Sequence, residues 1–442
     1  MKILIIEAYS AANIGSGALV ENSVRLLLEN FPGAEIEILA QTPESIHKLT
    51  GIPTYHELIT LPLAQSRPKQ VLWLLSTGLW MAVHALAMQL RHLGLTIPEG
   101  LYTFNARTLT AVRKVREADM VVSVGAERIN DNFYKAILFS LYMLWMVHSY
   151  GKFLVLFPQT IGPFHFRITR YFSGLVLNRC HVVFLRDLES VRYIRELGVS
   201  GPDVTNTCDV AVLQPPVAPE AARALLASAG IPDDGRPLVG ISVMQWTYIK
   251  AEGSSGYEEY KRAVAAVADR FIVEKGARVL FIATNVPTQG CREDDVAAAR
   301  DIMRLMRHTE GAAILGRVYT PGQMKGILGL CELCLVTRMH ACIFSTGMLT
   351  PTVSINYQFK LKEYMKLMGL GEHTVDIDKV TDKNLSDLME RAWVHRAKSH
   401  EILREKITSW AENLKSEMAR LPDCIEAKRR IRGISILNSQ KH

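Results

Sequence analysis

The chain has 442 residues, of which 48% are hydrophobic and 21% charged, a composition that excludes a disordered or collagen-like protein and suits two folded domains. The formal net charge of +7 is compatible with an acidic ligand or a membrane surface, but the basic residues form no dense block and predict no nucleic-acid partner. Seven scattered cysteines, an odd number, favour a reducing, cytoplasmic compartment over a disulfide framework.

The first predicted elements form a βαβ unit. The run KILIIEAY predicts a strand that is covered on both faces, and the turn NIGSGA follows it. A helix pattern then starts at Gly17, with Val20, Val24, Leu27 and Leu28 on one face. EIEILA supplies the next strand, and DMVVSVG, KFLVLFP and HVVFLRD predict later ones.

An apolar segment interrupts this alternation at Val71–Leu90, VLWLLSTGLWMAVHALAMQL. It is about long enough to span a bilayer, and Arg67, Lys69 and Arg91 flank it. Its polar residues and Gly78 favour a helix that is buried or lies at a membrane interface over a spanning helix. We therefore expect a cytoplasmic protein that can contact the inner face of the membrane peripherally through residues 71–90.

The regular pattern stops at Gln214–Pro219, QPPVAP, a prolyl stretch that predicts an inter-domain linker. After it, PLVGISV, ARVLFIAT, AAILG, ELCLVT and PTVSIN predict a second series of strands. The predicted fold is α/β, with two Rossmann-like domains facing a cleft in a GT-B-like arrangement. The predicted domains are residues 1–214 and 220–382, followed by a charged helical tail at 383–442.

The segment VTRMH places Arg338 and His340 where the predicted strand CELCLV gives way to a helix. Ligands of such sheets bind outside the carboxyl ends of the strands. Arginine keeps its charge and binds carboxylate or phosphate in bidentate fashion, and histidine can deliver a proton near neutral pH. The pair suits a small dianion that needs a proton, and the alternative interpretation is a salt bridge at a helix start.

Polar residues follow other predicted strands in the same way. A turn of this kind is weak evidence alone, because Gly-rich strand-to-helix turns are common. Several such turns, in both halves of the chain, favour a ligand site at the edge where the strands end. The residues are Asn13, Gly15 and Gly17 after the first strand, Gly125, Glu127, Arg128 and Asp131 after DMVVSVG, Gln159, Thr160 and Gly162 after KFLVLFP, and Arg186 and Asp187 after HVVFLRD.

Two patterns resemble metal sites but favour structural interpretations. Glu293, Asp294 and Asp295 open a helix pattern, where acidic residues are favourable helix-start charges. Cys331 and Cys334 form a CxxC without a second pair, inside a strand-like apolar run, which favours buried packing. No metal is predicted.

Together these motifs resemble the polysaccharide pyruvyl transferase family, in order, over about residues 1–370. TRMHA and QTIGPF are the specific motifs, and the match identifies Arg338 and His340 as the family's Arg-x-His pair. The supporting pieces are the Asn13-x-Gly15 turn, RDLES with YIRELG, DVAVL from Asp209, and INYQFK ending at Lys360.

The resemblance implies transfer of the pyruvyl group of phosphoenolpyruvate, as co-substrate and without a cofactor, to sugar hydroxyls, usually as a cyclic ketal. The acceptor would be a polysaccharide or its lipid-linked precursor. The first domain is expected to hold the acceptor and the second phosphoenolpyruvate.

Residue roles follow from the same resemblance. Arg338 and Arg186 would bind the phosphate and carboxylate, His340 would act as general acid or contact the leaving phosphate, and Lys360 would add charge. Asp187 or Asp209 would orient an arginine or accept a proton, with helix capping as the alternative. The substrate-binding set also includes Asn13, Gly15, Glu127 and Gln159, with Asn13 and Glu127 expected on the acceptor side.

The sequence departs from the family pattern at two turns of the N-terminal half. Ser16 stands where the first turn usually carries an aspartate, and SVGAE, with one glycine, replaces a Gly-Gly-Gly turn at Val124–Ala126. Two alternatives stay open. One is a GT-B glycosyltransferase with a nucleotide-sugar donor, and the other is a non-catalytic member of a polysaccharide assembly complex.

Overall fold

The protein is described by a computed structural model, which covers residues 1–60, 66–125, 127–245, 255–287 and 294–427. Its contacts divide the chain into two units. Unit 1 comprises Met1–Tyr9, Ser23–Thr207 and the segment from Lys415 onward, and unit 2 comprises Ser10–Asn22 and Cys208–Leu414.

Unit 1 contains a seven-stranded sheet in which every neighbouring pair is parallel. The order is β3-β2-β1-β4-β5-β6-β7, with the central strands fully buried, which explains their continuous apolar sequences. The strands are β1 (Lys2–Ala8), β2 (Glu35–Ala40), β3 (Thr54–His56), β4 (Met120–Ser123), β5 (Phe153–Gln159), β6 (Val182–Leu185) and β7 (Asp203–Asn206).

Seven helices connect these strands. On α1, Val20, Val24 and Leu27 are buried as predicted, whereas Leu28 is exposed because it lies at the margin of the apolar face. The helices are α1 (Ile14–Asn30), α2 (Pro43–Thr50), α3 (Arg67–His92), α4 (Ala106–Glu117), α5 (Tyr134–Ser149), α6 (Arg167–Leu177) and α7 (Leu188–Glu196).

Helix α3 contains the predicted apolar segment. Among the described residues, α3 is long and apolar enough, by length and composition, to cross a membrane. Only 17% of its most apolar 18-residue stretch is buried, however. The interpretation as a buried helix is therefore wrong for most of its surface. His84 is an exception, since it is fully buried.

Unit 2 contains a six-stranded parallel sheet with the order β10-β9-β8-β11-β12-β13. Numbered within the unit this is 3-2-1-4-5-6, the order of the doubly wound dinucleotide-binding fold. The strands are β8 (Leu238–Ser242), β9 (Arg278–Ile282), β10 (Ala312–Leu315), β11 (Leu333–Val336), β12 (Thr352–Asn356) and β13 (Thr374–Asp376).

The helices of unit 2 cover its sheet. The described part of the charged C-terminal tail is helical, as predicted. It does not form a separate segment after residue 382, because Leu385, Leu388 and Met389 of α14 join the core of unit 2. The helices are α8 (Pro219–Ser228), α9 (Ser255–Lys275), α10 (Asp295–Met303), α11 (Pro321–Leu328), α12 (Met339–Gly347), α13 (Phe359–Leu367), α14 (Asp382–Val394) and α15 (Arg396–Ala419).

The division between the units differs from the predicted boundaries in two places. The chain passes from unit 1 to unit 2 after Thr207, before the prolyl stretch at Gln214–Pro219. The turn at Ser10–Asn22 belongs with unit 2, although it follows β1 of unit 1. The reason is that the Ile14 N–H donates to the Thr284 carbonyl over 3.3 Å, and Asn13 forms a β-bridge with Asn285.

Candidate active site

The order of the unit 2 strands reverses between β8 and β11, and ligands of doubly wound sheets bind outside the carboxyl ends of the strands at such a switch point. Arg338 lies there, two residues after the end of β11, and is the residue that precedes α12. The sequence prediction therefore places the Arg-x-His pair at the edge where the fold favours a ligand.

Arg338 is 8% exposed and is held by a buried carboxylate. Its Nη2 and Nε donate to Asp295 Oδ1 over 2.6 and 3.2 Å. The other oxygen of Asp295 accepts hydrogen bonds from the backbone of Thr284 and Asn285 at 3.3 and 3.0 Å. Because Asp295 is the first residue of α10, the alternative of a helix-start salt bridge is confirmed, and the carboxylate fixes the orientation of the guanidinium.

His340 lies in the first turn of α12 and is half-buried. Its ring packs directly on the backbone of Gly15, where an added Cβ would overlap Nδ1, Cγ and Cε1 of the imidazole. Position 15 therefore requires glycine, because the His340 ring lies too close to its backbone for any side chain. The N-x-G turn and the Arg-x-His segment, far apart in the chain, meet in unit 2.

Asn13 positions this turn. Its Oδ1 accepts a hydrogen bond from the Ser16 N–H at 2.9 Å, which caps the start of α1. Asn13 and Gly15 were predicted within the N-terminal domain, and that placement is corrected by their grouping with unit 2. The β-bridge from Asn13 to Asn285 links the turn to the backbone that holds Asp295 and, through it, Arg338.

Lys360 lies at the start of α13, after β12, the strand next to β11. Its Nζ is 5.8 Å from the centroid of the Tyr357 ring. Nearby strand ends carry buried polar atoms that have no hydrogen-bond partner among the described residues: Ser242 Oγ at the end of β8, Asn356 Nδ2 at the end of β12 and Gln358 Oε1 just after it. Such atoms are costly unless a ligand, water or another group completes them.

Asp209, also in unit 2, caps a short helical turn. It is 1% exposed, and its Oδ1 accepts a hydrogen bond from the Ala211 N–H at 2.9 Å at the start of the 3-10 helix Val210–Leu213. The capping alternative is confirmed for Asp209, and its role toward substrate stays a prediction.

Unit 1 brings Gln159, Thr160, Arg186 and Asp187 together after β5 and β6. Arg186 Nε donates to Thr160 Oγ1 at 3.0 Å, and that hydroxyl donates to Asp187 Oδ2 at 2.8 Å. Asp187 also caps α7 by accepting from the Ser190 N–H at 2.7 Å. All four residues are at most 5% exposed. Capping is confirmed for Asp187, and the substrate roles of Arg186, Asp187 and Gln159 stay predictions.

The switch point of unit 1 lies between β1 and β4. Of the polar residues there, the sequence pattern indicated Arg128 but neither Glu7 nor Glu57. Glu7 of β1 is 6% exposed and accepts a hydrogen bond from Ser123 Oγ at 2.6 Å. Arg128 pairs with Glu57 at 3.0 Å. The predicted Glu127 lies beside this cluster in sequence, and its carbonyl accepts from Asn130 Nδ2 at 2.8 Å.

The chemistry of this second cluster is acidic. Burial raises the pKa of Glu57 to about 7, and the nearby Glu7 acts in the same direction, whereas Arg128 opposes the rise. A carboxyl with such a pKa can accept a proton from a hydroxyl near neutrality. The signal for this cluster in the sequence was a glutamate, Glu7, within the apolar strand KILIIEA. In the structure Glu7 adopts a φ of 65°, which is unusual for a residue with a side chain.

Comparison with known proteins decides the family. A sequence profile described as "Polysaccharide pyruvyl transferase" matches residues 13–358. The chain belongs to the polysaccharide pyruvyl transferase family. The matched span contains the Asn13-x-Gly15 turn and the Arg338-x-His340 pair, which meet in unit 2. It ends two residues before Lys360.

This family member has a curated relative in polysaccharide synthesis. It is 22% identical over 391 residues to the amylovoran biosynthesis protein AmsJ of Erwinia amylovora, covering 87% of this chain and 90% of the relative. The match thus extends over both units.

Solved structures show the same fold at low identity. HepE of Anabaena, in complex with UDP-glucose, superposes with a TM-score of 0.56 at 12% identity, covering 96% of this chain and 99% of HepE. A UDP-N-acetylglucosamine 2-epimerase from Listeria monocytogenes gives a TM-score of 0.53 at 11% identity, covering 91% and 90%. With the two parallel sheets, these likenesses confirm the predicted GT-B-like fold of this pyruvyl transferase family member.

The two metal-like patterns have structural roles in this family member. Asp294 caps α10 by accepting from the Ala297 N–H at 2.8 Å, and Asp295 holds Arg338, so the helix-start interpretation is confirmed for both; Glu293 lies outside the described residues. Cys331 and Cys334 are buried, as predicted. Within the described residues no group of three or more His, Cys, Asp or Glu side chains is arranged to hold a metal ion.

Proposed function

We propose that the protein transfers the pyruvyl group of phosphoenolpyruvate to hydroxyls of a saccharide during polysaccharide synthesis, usually forming a cyclic ketal. The observation that carries this proposal is the Arg338-x-His340 pair at the switch point of unit 2, in a chain that belongs to the polysaccharide pyruvyl transferase family. The relation to an amylovoran biosynthesis protein supports a saccharide acceptor.

Fixed cations at this edge match the charge of phosphoenolpyruvate. The donor carries a carboxylate and a phosphate on one small enol, and Arg338 and Lys360 lie after the adjacent strands β11 and β12. Asp295 holds Arg338 in place before any ligand arrives, and such preorganisation lowers the cost of stabilising charge. The buried polar atoms of Ser242 and Asn356 supply further hydrogen-bonding groups for the donor.

The reaction needs two protons delivered and two removed. A general acid, assigned to His340, protonates the methylene carbon, and C2 becomes an oxocarbenium-like centre. One sugar hydroxyl adds to C2 and loses its proton, the C2–O bond to phosphate breaks, and a second hydroxyl closes the ketal. The methyl group thus gains one hydroxyl proton and the phosphate the other, so the atoms balance. Gly15 serves the acid by letting the imidazole pack on the turn backbone.

The acceptor side of the proposal belongs to unit 1. Asp187 and Asp209, the bases suggested by the sequence, each cap a helix. Glu57, whose pKa is raised by burial to about 7, is better suited to accept a hydroxyl proton. Arg128 and Glu7 flank it, and carboxylates with a guanidinium are groups that bind sugar hydroxyls.

The remaining parts of the proposal concern location and co-substrates. The six cysteines that the structure describes are all free thiols, which supports a reducing cytoplasmic compartment. The acceptor is a polysaccharide precursor, free or carried on a lipid. Phosphoenolpyruvate is the only co-substrate proposed, with no metal or cofactor.

A direct test incubates the protein with phosphoenolpyruvate and saccharide fractions from a producing cell, and measures released phosphate and product structure. The proposal predicts phosphate release that depends on saccharide, and a product with a methyl signal in its NMR spectrum. Vinyl methylene signals would show an enol ether instead of a ketal. Incorporation from a nucleotide sugar, with none from phosphoenolpyruvate, would overturn the proposal.

The matched pair of variants for this test is His340→Gln and His308→Gln. Both histidines lie in unit 2, but the His308 side chain is 43% exposed and pairs with Glu310 at the surface. The proposal predicts that His340→Gln abolishes saccharide-dependent phosphate release while His308→Gln retains it. Equal activity of the two variants would remove His340 from the mechanism.

A further inference from the structure

Helix α3 carries an apolar stripe that faces away from the rest of unit 1. It consists of Leu72, Leu75, Leu79, Val83 and Leu86, whose leucines are between 60% and 69% exposed. Their spacing of three or four residues places them on one face of the helix, over a length of about 21 Å. Leucines buried on folding are common, but a continuous exposed stripe of this kind marks an interaction surface.

The opposite face of α3 is fixed to unit 1. Trp80 Nε1 donates to Thr103 Oγ1 at 3.0 Å, and the buried His84 ring bonds to the Tyr142 hydroxyl at 2.7 Å. Ala87 and Met88 are each 3% exposed. Crossing a bilayer would strip these contacts and leave polar groups in hydrocarbon, at a high cost. The helix is therefore built to lie against a surface rather than to span it.

The charges around the stripe have one sign. Residues 58–98 contain no aspartate or glutamate, whereas Arg67 and Lys69 precede the stripe and Arg91 follows it. A cationic rim around an apolar face is the pattern of helices that lie in the plane of an anionic membrane. In a symmetric contact between two copies these cations would face each other without an acidic partner from this segment, so charge complementarity favours anionic lipid over a second copy.

Neighbouring helices also expose apolar side chains. Trp73 of α3 packs edge-on against Phe139 of α5 with ring centroids 5.6 Å apart, and α5 in turn packs against α6. Helix α6 and its preceding residue expose Phe166, Ile168 and Tyr171, interleaved with Arg167 and Arg170 in the sequence. Apolar and basic side chains therefore alternate along the sequence at the start of α6.

We propose that unit 1 docks on an anionic lipid bilayer through the apolar stripe of α3, with the helix lying in the plane of the headgroups. The leucines enter the boundary between headgroups and acyl chains, and Arg67, Lys69 and Arg91 contact anionic headgroups. This inference goes beyond the proposed function and does not depend on it, because the stripe, its rim and its anchored inner face are independent of catalysis.

The experiment is flotation of the full chain with vesicles of phosphatidylcholine alone or mixed with phosphatidylglycerol. The wild type is expected to float with the anionic vesicles, less so at high salt. The triple variant Leu72→Gln, Leu75→Gln, Leu79→Gln is expected to lose binding on the order of tenfold or more. The matched control is Val273→Gln, Leu305→Gln, Val394→Gln, which replaces three exposed apolar residues of unit 2 and should bind like the wild type.

Other outcomes overturn the proposal. Wild type that stays in the soluble fraction with both kinds of vesicle would contradict it, as would equal binding by the triple variant and the control. A dimer in solution that the triple variant dissociates, without vesicle binding, would assign the stripe to a second copy. Resistance of vesicle-bound wild type to alkaline extraction would show that α3 spans the bilayer. Unchanged thermal unfolding of the triple variant serves as the folding control.

Discussion

The two switch points of the molecule share a backbone order but differ in charge. In unit 2 the strand ends carry Arg338, His340 and Lys360, and one buried carboxylate holds the arginine. In unit 1 the equivalent position carries Glu7 and Glu57 around a single arginine, Arg128. The same fold thus presents a cationic edge in unit 2 and a carboxylate-rich edge in unit 1, and the proposed function assigns the donor to the first and the acceptor hydroxyls to the second.

A third site clarifies the difference. Arg186 and Asp187 follow β6, which lies two strands away from β4 at the unit 1 switch point. Both side chains form a hydrogen bond with the Thr160 hydroxyl. Their chemistry resembles that of the unit 2 edge, and they are about as buried as Arg338, so only their distance from the switch point distinguishes the two sites. A charged pair at a strand end is therefore weak evidence for a site unless it also lies at the switch point.

The largest effect is expected from removing the anchor of the cationic edge. Asp295→Ala removes the buried carboxylate to which Arg338 Nη2 and Nε donate, which should lower the free energy of unfolding by about 3–5 kcal/mol. The check is denaturant unfolding, with Asp295→Asn as a milder variant that retains hydrogen-bond acceptance. The control is Glu274→Ala, which breaks an exposed pair with Arg270 at 3.0 Å and should cost under about 1 kcal/mol. Equal losses would show that Asp295 is no anchor.

Gly15→Ala tests the same edge without touching a charge. The new Cβ would overlap the His340 ring, so the imidazole must move, and misplacement of a reacting group by about 1 Å can cost on the order of 100-fold in turnover. Saccharide-dependent phosphate release measures the loss. Gly78→Ala is the control, because nothing lies within 4 Å of a Cβ at that position. Full activity of Gly15→Ala would separate His340 from the chemistry.

Asp187→Asn distinguishes a cap from a catalytic residue in unit 1. Asparagine can still cap α7, but its amide group weakens the contact with Thr160, so stability should fall by about 1 kcal/mol. Turnover per folded molecule should stay unchanged. A collapse of turnover at normal stability would restore the catalytic role that the sequence predicted for Asp187.

A further effect is a pH dependence at the acidic edge. Because burial raises the pKa of Glu57 from 4.5 to about 7, the folded state keeps a proton that the unfolded chain loses. The contribution of Glu57 to the free energy of unfolding therefore falls as the pH rises from 4.5 to about 7. Glu57→Gln should flatten the stability profile in that range, as measured by urea unfolding. Parallel profiles for the variant and the wild type would contradict the raised pKa.

Much of the fold could be predicted from local sequence. The central strands of both sheets are continuous apolar runs, and β2 was predicted with its exact bounds at Glu35–Ala40. The short edge strands β3, β7 and β13 were missed, because three or four half-exposed residues carry no periodic signal. The apolar sequence of α3 could not reveal which face would be covered, since that depends on packing against α5.

The site was predicted in part for a similar reason. Motifs located Arg338 and His340 at a strand end, because that position depends on local sequence alone. The partner of Arg338 lies 43 residues away at Asp295, and the ring of His340 meets Gly15 near the other end of the chain. These contacts follow from the tertiary fold. Glu7 was missed because a single carboxylate in an apolar strand has no motif.

The most direct test of the central claim is thermal unfolding with phosphoenolpyruvate, UDP or GDP, for the wild type, Arg338→Gln and Arg304→Gln, the last replacing an arginine of unit 2 whose side chain is 74% exposed. A ligand that binds the native state raises the unfolding temperature by mass action. The account predicts a rise with phosphoenolpyruvate alone, lost in Arg338→Gln and retained in Arg304→Gln, relative to each variant without ligand. A rise with a nucleotide and none with phosphoenolpyruvate would contradict it.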